Sequence, residues 1–331
     1  MIFIDQTIKP VTAEMIIEKA KEHDTNQVFI LNELEWEFEI PGGKEAIDTV
    51  KESGIDLKIL TGGACREYFT KFYSELGLKV NKDVIFWPTI WLNWSELELS
   101  HTDIKHRRYF PPAPKHHFIC LNNRPHEHRC VTIDALARHN LIDKGVVTWH
   151  NFLSNCSEHD YEFKHFNSNT ILKLDDDFEN TRDSFSFPKE FHESFFHLVT
   201  ESTTKVYDLS EKTAIPLLLK KPFAIIGAVG YHKFLQDLGF ELYTEIIDYS
   251  FDSEPDLYKR VDMLVEQMHS IAKLELETSY SIIKDKALRN YHRAIDIIHD
   301  NEFIPDEVEL LVDKFGSQLK HHYHAFLDKT L

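Results

Sequence analysis

The stretch FHESFFHLVTESTTKVYDLSEKTAIPLLLKKPFAIIGAVGYHKFLQDLGFELYTEIIDYSFD, residues 191–252, decides the fold of this chain. It predicts, in order, a strand, a polar loop, a helix, a buried strand, a glycine turn, a second helix and a closing strand, which is the order of half a nucleotide-binding α/β domain. The polar residues fall in the loops, where such domains bind their ligands. The stretch therefore predicts parallel strands with a ligand site at their carboxyl ends.

The first helix of this stretch is expected to begin after Ser210, which is a good N-cap residue. Glu211, Lys212 and Thr213 follow directly, so a carboxylate, an ammonium group, a hydroxyl and several backbone N–H groups should face one spot. A carboxylate can accept two hydrogen bonds from a ribose diol, and a lysine can neutralise a phosphate. These residue types predict a nucleoside diphosphate site. The alternative is a first-turn carboxylate that interacts with the helix dipole, beside a solvated lysine.

A second polar turn, LNNRPHEHR at residues 121–129, follows another predicted strand. It brings Asn122, Arg124 and Arg129 to the carboxyl end of that strand, where two guanidinium groups suit an anionic ligand. The alternative is a solvated loop, whose asparagines turn the chain and whose arginines form surface ion pairs. Because the turn at 210–213 predicts the same chemistry, the anion site is the favoured interpretation.

The chain has 331 residues, enough for two domains of about 100–200 residues each. Its net charge of −18 argues against a general nucleic-acid binder, which needs a basic face. The charge is uneven, however, because residues 105–138 are rich in lysine and arginine. A local basic region in an acidic protein fits an anionic small molecule and leaves a nucleic-acid acceptor open.

No run of about 18 apolar residues predicts a membrane span, and the N-terminus lacks the basic, apolar and small-residue order of a signal peptide. The four cysteines show no CxxC spacing, which favours reduced core thiols over metal ligands. We therefore expect a cytoplasmic protein without a membrane partner. Its oligomeric state stays open.

The hydrophobic pattern divides the chain into three parts. Residues 1–110 alternate short strands with helices and predict a small Rossmann-like domain. A segment with Pro111, Pro112 and Pro114 marks the linker. Residues 111–276 predict a second α/β domain, which would bind the nucleotide, and residues 277–331 predict C-terminal helices.

Four segments carry a resemblance to a known family: LNNRPHEHR at 121–129, LVTES at 198–202, SEKTAIPLLLKKPFAIIGAVGYHKFLQDLGF at 210–240 and DYSFD at 248–252. Together they resemble phage- and virus-encoded glycosyltransferases of GT-B type. More distantly, the Glu211-Lys212 step is similar to the donor-binding motif of exostosin-like and α1,3-fucosyltransferase-like enzymes. The resemblance extends from Phe118 to Arg260, and the first 110 residues lie outside it.

The resemblance implies a GT-B-like α/β architecture, in which two Rossmann-type domains face each other across a cleft, with extra C-terminal helices. The donor would be a UDP- or GDP-linked sugar, and the reaction would need neither a metal nor another cofactor. Glu211 would bind the ribose, while Lys212, Arg124 and Arg129 would bind the diphosphate. The other donor-site residues would be Asn122, Glu201, Ser202, Thr213 and Gly230.

Sugar transfer passes through an oxocarbenium-like state, and cations stabilise the departing diphosphate. In an inverting enzyme, a carboxylate or a histidine of the first domain would deprotonate the acceptor hydroxyl, and the candidates are Asp5, Glu33 and Glu35. Loop carboxylates that are merely solvated are the alternative. The acceptor would be a glycan or small glycoside, or a hydroxymethylated base in phage DNA. A non-catalytic nucleotide-binding protein that retains the fold is the alternative function.

Two further motifs resemble metal sites. Asp175–Asp177 has the form of a metal-holding DxD motif, but it lies in an irregular polar segment, which favours a solvated loop. A second set is rich in histidine, but the chain has 20 histidines and no cysteine partner spacing, which favours surface side chains. This set comprises His116, His117, His321, His322 and His324. The sequence therefore predicts no metal site.

Overall fold

The computed structural model contains two parallel β-sheets with their flanking helices. It describes residues 2–5, 11–32, 40–61, 66–79, 82–86, 114–150, 161–172, 174, 189–205, 207 and 210–299. These residues belong to two compact units, one that reaches Phe86 and one that runs from Pro114 to His299. The predicted domain boundary at residue 110 lies outside the described residues.

The first unit alternates strands with helices. In chain order its described elements are β1 (Ile2–Asp5), α1 (Ala13–Glu22), β2 (Gln27–Asn32), α2 (Gly43–Glu52), β3 (Asp56–Thr61), α3 (Arg66–Glu75) and β4 (Val84–Phe86). Neighbouring strands pair in parallel, in the order β1-β2-β3-β4. Parallel pairing needs a crossover between successive strands, and the helices provide it.

The alternation of side chains along the strands places the core of this unit on one face of the sheet. Ile30 of β2 pairs with Ile4 of β1 and Ile59 of β3, so the three side chains share a face, and all three are buried. Ile16 of α1 and Ile47 of α2 are completely buried as well. The apolar sides of the crossover helices therefore cover this face of the sheet.

The second unit has the same alternation with a different strand order. Its described elements are β5 (His116–Cys120), α4 (Glu127–Arg138), β6 (Val146–Val147), α5 (Lys189–Glu193), β7 (Ser194–Thr200), α6 (Glu211–Leu218), β8 (Phe223–Ile226), α7 (Tyr231–Asp237), α8 (Leu257–Ile271) and α9 (Leu276–His299), with 3₁₀ turns at Ile142–Lys144 and Tyr249–Ser253. The strands pair in parallel in the order β6-β5-β7-β8.

This order contains a topological switch point between β5 and β7. The chain leaves β5 towards β6 on one side, whereas it leaves β7 towards β8 on the other side. At such a point the loops that follow the two strands diverge and leave a crevice, which is where open α/β sheets bind ligands. The two loops that the sequence singles out are the ones that follow β5 and β7.

Helices cover both faces of this second sheet. Right-handed crossovers that run in opposite directions place α4 and α6 on opposite faces, and α8 packs on α4 while α9 packs on α6. All seven residues of β7 are buried, as expected for a central parallel strand. The predicted α/β fold class with parallel sheets is therefore confirmed.

The closing strand predicted at the end of the 191–252 stretch is wrong. Residues 241–248 are irregular, and Tyr249–Ser253 forms a 3₁₀ turn. The side chain of Asp248 accepts a hydrogen bond from the N–H of Ser250 at 2.9 Å, and the carboxylate of Asp252 accepts one from the N–H of His232 at 3.1 Å. Carboxylates that satisfy nearby backbone groups in this way compete with strand pairing.

The helix α9 has 24 residues and packs along the second unit. Asn290 donates a hydrogen bond to the carbonyl of Glu241 at 2.9 Å, and Arg293 donates one to the carbonyl of Leu238 at 2.7 Å. In the part of the chain that the structure describes, no helix combines the length and the apolar character needed to cross a membrane.

One carboxylate holds the segment 161–166 against α4. Asp134 accepts hydrogen bonds from the N–H groups of Lys164, His165 and Phe166 at 3.2, 2.7 and 2.7 Å, and from the hydroxyl of Tyr161 at 3.1 Å. Burial raises the pKa of the Asp134 carboxyl, but these hydrogen bonds lower it by more, so that the net shift is downwards.

We expect Asp134 to contribute to unfolding in acid. Its pKa is lower in the folded state than in the unfolded state, so its contribution is complete above the unfolded value of about 3.9 and is lost as the pH falls through the folded pKa. Asp134→Asn should therefore cost about 1–2 kcal/mol at neutral pH and less in acid. Urea unfolding at neutral pH and in acid measures the cost of Asp134→Asn under each condition. Asp143→Asn, which changes an exposed carboxylate, is the control. An equal cost at both values would contradict the expectation.

Candidate functional site

Asn122 ties the loop after β5 to the neighbouring strands. It is completely buried, its amide oxygen accepts a hydrogen bond from the hydroxyl of Thr200 at 2.8 Å, and its backbone N–H donates to the hydroxyl of Thr148 at 3.0 Å. Thr200 ends β7 and Thr148 directly follows β6. One residue thus joins the carboxyl ends of three strands beneath the switch point.

Arg129 lies in the first turn of α4 and is almost completely buried. Its guanidinium donates to the carbonyl of Arg124 at 3.3 Å, to that of Thr200 at 3.5 Å and to that of Glu201 at 3.0 Å. It therefore holds together the loops that follow β5 and β7 and brings a positive charge between them. Its predicted contact with a diphosphate stays a prediction.

His128 lies beside Arg129 and is also buried. Its Nε2 is 2.6 Å from the carbonyl oxygen of Glu201, so Nε2 carries the proton and donates it. Burial lowers the pKa of His128 well below its usual value, and the charges of Arg129 and Lys212 lower it further. His128 is therefore neutral at physiological pH. Arg129 contacts the carbonyl of Glu201 and Lys212 contacts the hydroxyl of Ser202, so both cations lie along the loop that follows β7.

Glu201 directly follows β7 and is completely buried. One of its oxygens accepts hydrogen bonds from the N–H of Ser202 at 2.8 Å and from the hydroxyl of Ser210 at 2.5 Å. The other accepts from the hydroxyls of Thr213 at 2.6 Å and Tyr231 at 3.4 Å. The carboxylate therefore fixes the loop and the helices α6 and α7 relative to β7, and it faces these donors rather than solvent.

Lys212 is carried to the same loop by α6. Ser210 is the N-cap of this helix, and its hydroxyl oxygen accepts a hydrogen bond from the N–H of Lys212 at 3.2 Å. The ammonium group of Lys212 is partly buried and donates to the hydroxyl of Ser202 at 2.9 Å. A cation, a hydroxyl and the positive end of a helix dipole therefore lie together at the end of β7.

Arg124 lies in the loop after β5 and is exposed. Its backbone carbonyl is held by Arg129, whereas its guanidinium forms no hydrogen bond or ion pair with any residue that the structure describes. Its side chain can therefore move towards a ligand without breaking a contact in the described part of the chain.

Gly230 is the N-cap of α7 and has a φ of 78°, which favours glycine. A Cβ at this position would lie 3.0 Å from the hydroxyl oxygen of Tyr207. That hydroxyl donates to the carbonyl of Val229 at 3.0 Å, and the ring of Tyr207 stacks on Phe234 with centroids 4.7 Å apart. The backbone conformation therefore favours glycine, and a larger residue would also displace the hydroxyl of Tyr207.

Several predicted residues lie wholly or partly outside the described residues. Glu33 and Glu35 are outside them, as are Asp175–Asp177 and the three C-terminal histidines. Asp5 ends β1 and Glu211 begins α6, but the side chains of both lie outside the described part. Among the residues that are described, no group of three or more His, Cys, Asp and Glu side chains could hold a metal ion.

Arg260 is a buried arginine at the carboxyl end of β8 that sequence reasoning missed. It reaches from α8 to donate to the carbonyl of Gly227 at 3.1 Å and to that of Glu254 at 2.7 Å. Its Nε has no hydrogen-bond partner in the described part of the chain. A signal was present, because Arg260 lies four residues before Leu264 and so falls on the apolar face of a helix, where a charged residue needs polar partners.

Comparisons with protein-family models, with curated proteins and with solved structures found no match for this chain. The site itself has a clear chemical character. Arg129, Lys212 and the N-terminus of α6 bring two positive charges and a helix dipole to the carboxyl ends of β5 and β7, and the buried carboxylate of Glu201 offsets one of these charges, in a chain whose net charge is −18. An anionic group such as a diphosphate is the ligand that this arrangement would stabilise.

Proposed function

We propose that this protein is a glycosyltransferase that moves a sugar from a nucleotide-sugar donor to a hydroxyl acceptor. The observation that carries the proposal is the convergence of Arg129, Ser202 and Lys212 at the switch point between β5 and β7. Ligands of open α/β sheets bind at this position. The motif resemblance to GT-B enzymes supports this choice of reaction for an anion site of this kind.

In the proposed complex, the donor diphosphate lies against the N-terminus of α6. Lys212 turns from the hydroxyl of Ser202 to a phosphate oxygen, the freed hydroxyl donates to a second oxygen, and the positive end of the α6 dipole stabilises the remaining negative charge. Arg124 reaches the diphosphate from the loop after β5. Arg129 stays on its three carbonyls and acts through its charge, while Glu211 binds the ribose.

The same groups would assist the chemical step. Negative charge develops on the diphosphate as its bond to the sugar breaks, and preorganised cations stabilise that charge most effectively. Glu201 contributes to the preorganisation because its hydrogen bonds fix Ser202, Ser210 and Thr213 before the donor arrives. No metal ion or other cofactor takes part in this scheme.

The proposed acceptor site assumes the GT-B arrangement, in which two Rossmann-type domains face each other across a cleft. The first unit would bind the acceptor, and Asp5, Glu33 or Glu35 would remove the proton from its hydroxyl group. The acceptor would be a glycan, a small glycoside or a hydroxymethylated base in DNA, and the reaction would take place in the cytoplasm.

Donor binding should depend on Lys212. A ligand at 100 times its dissociation constant stabilises the folded state by about 2.7 kcal/mol, so the correct UDP- or GDP-sugar should raise the Tm of the wild-type protein. Lys212→Ala should abolish this shift. Lys144→Ala is the matched control. Lys144 is an exposed lysine that precedes β6, so it lies at the amino ends of the strands, opposite the candidate site. An unchanged shift in Lys212→Ala would exclude Lys212 from the donor site.

Turnover separates the enzyme from a non-catalytic nucleotide-sugar-binding protein. Release of the nucleotide should be measured with glycans, small glycosides and duplex DNA that contains hydroxymethylated bases. Release that depends on an acceptor supports the transferase, whereas donor binding without release supports the alternative. If DNA is the acceptor, its binding should weaken steeply with added salt.

A further inference from the structure

A cavity of about 640 Å³ lies in the second unit, between α4, the segment 161–165 and the first turns of α8. Its volume falls in the range of small-molecule sites. The residues of α4 that line it begin at Val131 and end at Arg138, so they follow the first turn, which carries His128 and Arg129. The cavity is therefore a separate feature from the candidate donor site.

The walls of this cavity are preorganised. Asp134 binds three successive N–H groups of the segment 164–166, which fixes this segment against α4. On the other side, Asp256 is the N-cap of α8 and its side chain accepts a hydrogen bond from the N–H of Lys259 at 2.9 Å. The residues around the cavity are therefore already ordered before a ligand binds, which reduces the entropic cost of binding.

Two tyrosine rings form an aromatic surface in this cavity. The rings of Tyr161 and Tyr258 have centroids 6.1 Å apart and planes inclined by 28°. Tyr258 is 51% exposed, yet its hydroxyl is anchored by a hydrogen bond to Glu127 at 2.9 Å. A large ring that is both exposed and anchored offers a flat apolar face for a ligand at little cost in side-chain entropy.

The charged groups of the cavity are close to balance. The cations are Arg138, Lys164 and Lys259, and the carboxylates are Asp134, Glu162, Asp256 and Asp262. A charged ligand would gain little in such a field, whereas hydroxyl groups can donate to the carboxylates and accept from the ammonium groups. Glu162 and Lys164 are exposed and form no side-chain hydrogen bond or ion pair with the described residues, so both are available to a ligand.

We infer that this cavity binds a neutral carbohydrate. The apolar face of a sugar ring would pack on Tyr161 and Tyr258, and its hydroxyls would bind Glu162 and Lys164. The inference does not rest on the proposed transfer reaction, because it involves none of the groups assigned to the donor. It adds a glycan-binding site on the outer side of α4.

Isothermal titration of the full chain with maltotriose, cellotriose and chitotriose tests the inference. At least one of these neutral trisaccharides should bind saturably, and Tyr258→Ala should weaken that binding about tenfold. Lys164→Met should weaken it about threefold, since one hydrogen bond is lost. Tyr258→Phe keeps the ring and should bind nearly as well as the wild type. Ile282→Ala, at a 60% exposed apolar residue of α9, is the surface control.

The same titration can overturn the inference. The absence of saturable binding with all three sugars would do so, and so would binding that Tyr258→Ala leaves unchanged. Sugar binding that is lost in Lys212→Ala, or that UDP displaces, would assign the sugar to the donor site and would also overturn the inference. Failure here would leave the donor-dependent Tm shift intact, so the two proposals fail independently.

Discussion

Glu201→Ala is expected to lower the free energy of unfolding by about 3 kcal/mol. The substitution removes the acceptor of four hydrogen bonds, whose donors belong to Ser202, Ser210, Thr213 and Tyr231. Each buried donor left without a partner costs about 1–3 kcal/mol, and the full sum is not reached because hydroxyl groups can rotate to other acceptors. The loss should also loosen the start of α6, since Ser210 caps this helix.

Two variants make this expectation specific. Glu201→Gln keeps the size of the side chain and one carbonyl oxygen, so it should cost only about 1 kcal/mol. Glu266→Ala removes an exposed carboxylate of α8 and should leave stability unchanged. Denaturant unfolding of all three variants gives the comparison. A cost below about 0.5 kcal/mol for Glu201→Ala, the level of an ordinary surface substitution, would show that the network does not stabilise the fold.

The position of the candidate site was predictable because strand ends can be recognised in the sequence. The apolar run that becomes β7 stops at Thr200, and the one that becomes β5 stops near Cys120. Parallel strands place their carboxyl ends at one edge of the sheet, so the loops at 121–126 and 201–205 had to lie on the same side. This step needs the hydrophobic periodicity and the alternation of strands with helices, which favours parallel pairing.

The strand order was not predictable in the same way. Periodicity indicates that a strand exists but not which strand it pairs with. The switch point depends on β6, a strand of only two residues, Val146–Val147, which pairs with β5 on the side away from β7. Nothing local in these two valines specifies the side on which they pair.

The sequence also did not predict which individual side chains are exposed and which are buried. Arg124 and Arg129 lie five residues apart in one polar turn, yet Arg124 is exposed and Arg129 is buried against carbonyls. Glu201 is buried partly because Tyr231, which follows 30 residues later, donates to it. Such burial depends on how distant elements pack, and periodicity does not contain that information.

Lys221 is a buried lysine whose protonation is expected to make the stability of the fold depend on pH. It lies between α6 and β8, is completely buried, and its Nζ donates to the carbonyls of His192 at 2.7 Å and Ser194 at 2.6 Å. The carbonyls favour the charged ammonium form and burial disfavours it; burial has the larger effect and lowers the pKa of Lys221 to about 7. His197 lies nearby, and burial together with the charge of Lys221 lowers its pKa to about 3, so His197 stays neutral above this value.

We therefore expect stability to rise between about pH 7 and pH 10. The pKa of a lysine in the unfolded chain is about 10.4, so in this range the unfolded chain keeps a proton that the folded chain has released. Stability rises with pH wherever the unfolded state binds more protons than the folded state. Between about pH 7 and pH 9 the wild type should gain about 2 kcal/mol relative to Lys221→Met, whose side chain does not titrate. Below about pH 7 both states are protonated, and the two proteins should show similar slopes.

Urea unfolding of the wild type and of Lys221→Met across this range gives the slope of the free energy of unfolding against pH for each protein. Other groups titrate in both proteins, so their contribution cancels in the difference between the two slopes. Lys273→Met is the matched control, since Lys273 is exposed just after α8 and should show the wild-type slope. If Lys221→Met and the wild type instead run parallel up to about pH 9, the two carbonyls must hold Lys221 in its charged form. Lys221 would then be a buried cation that caps the backbone at the start of β7, and hydrogen bonding rather than burial would determine its protonation.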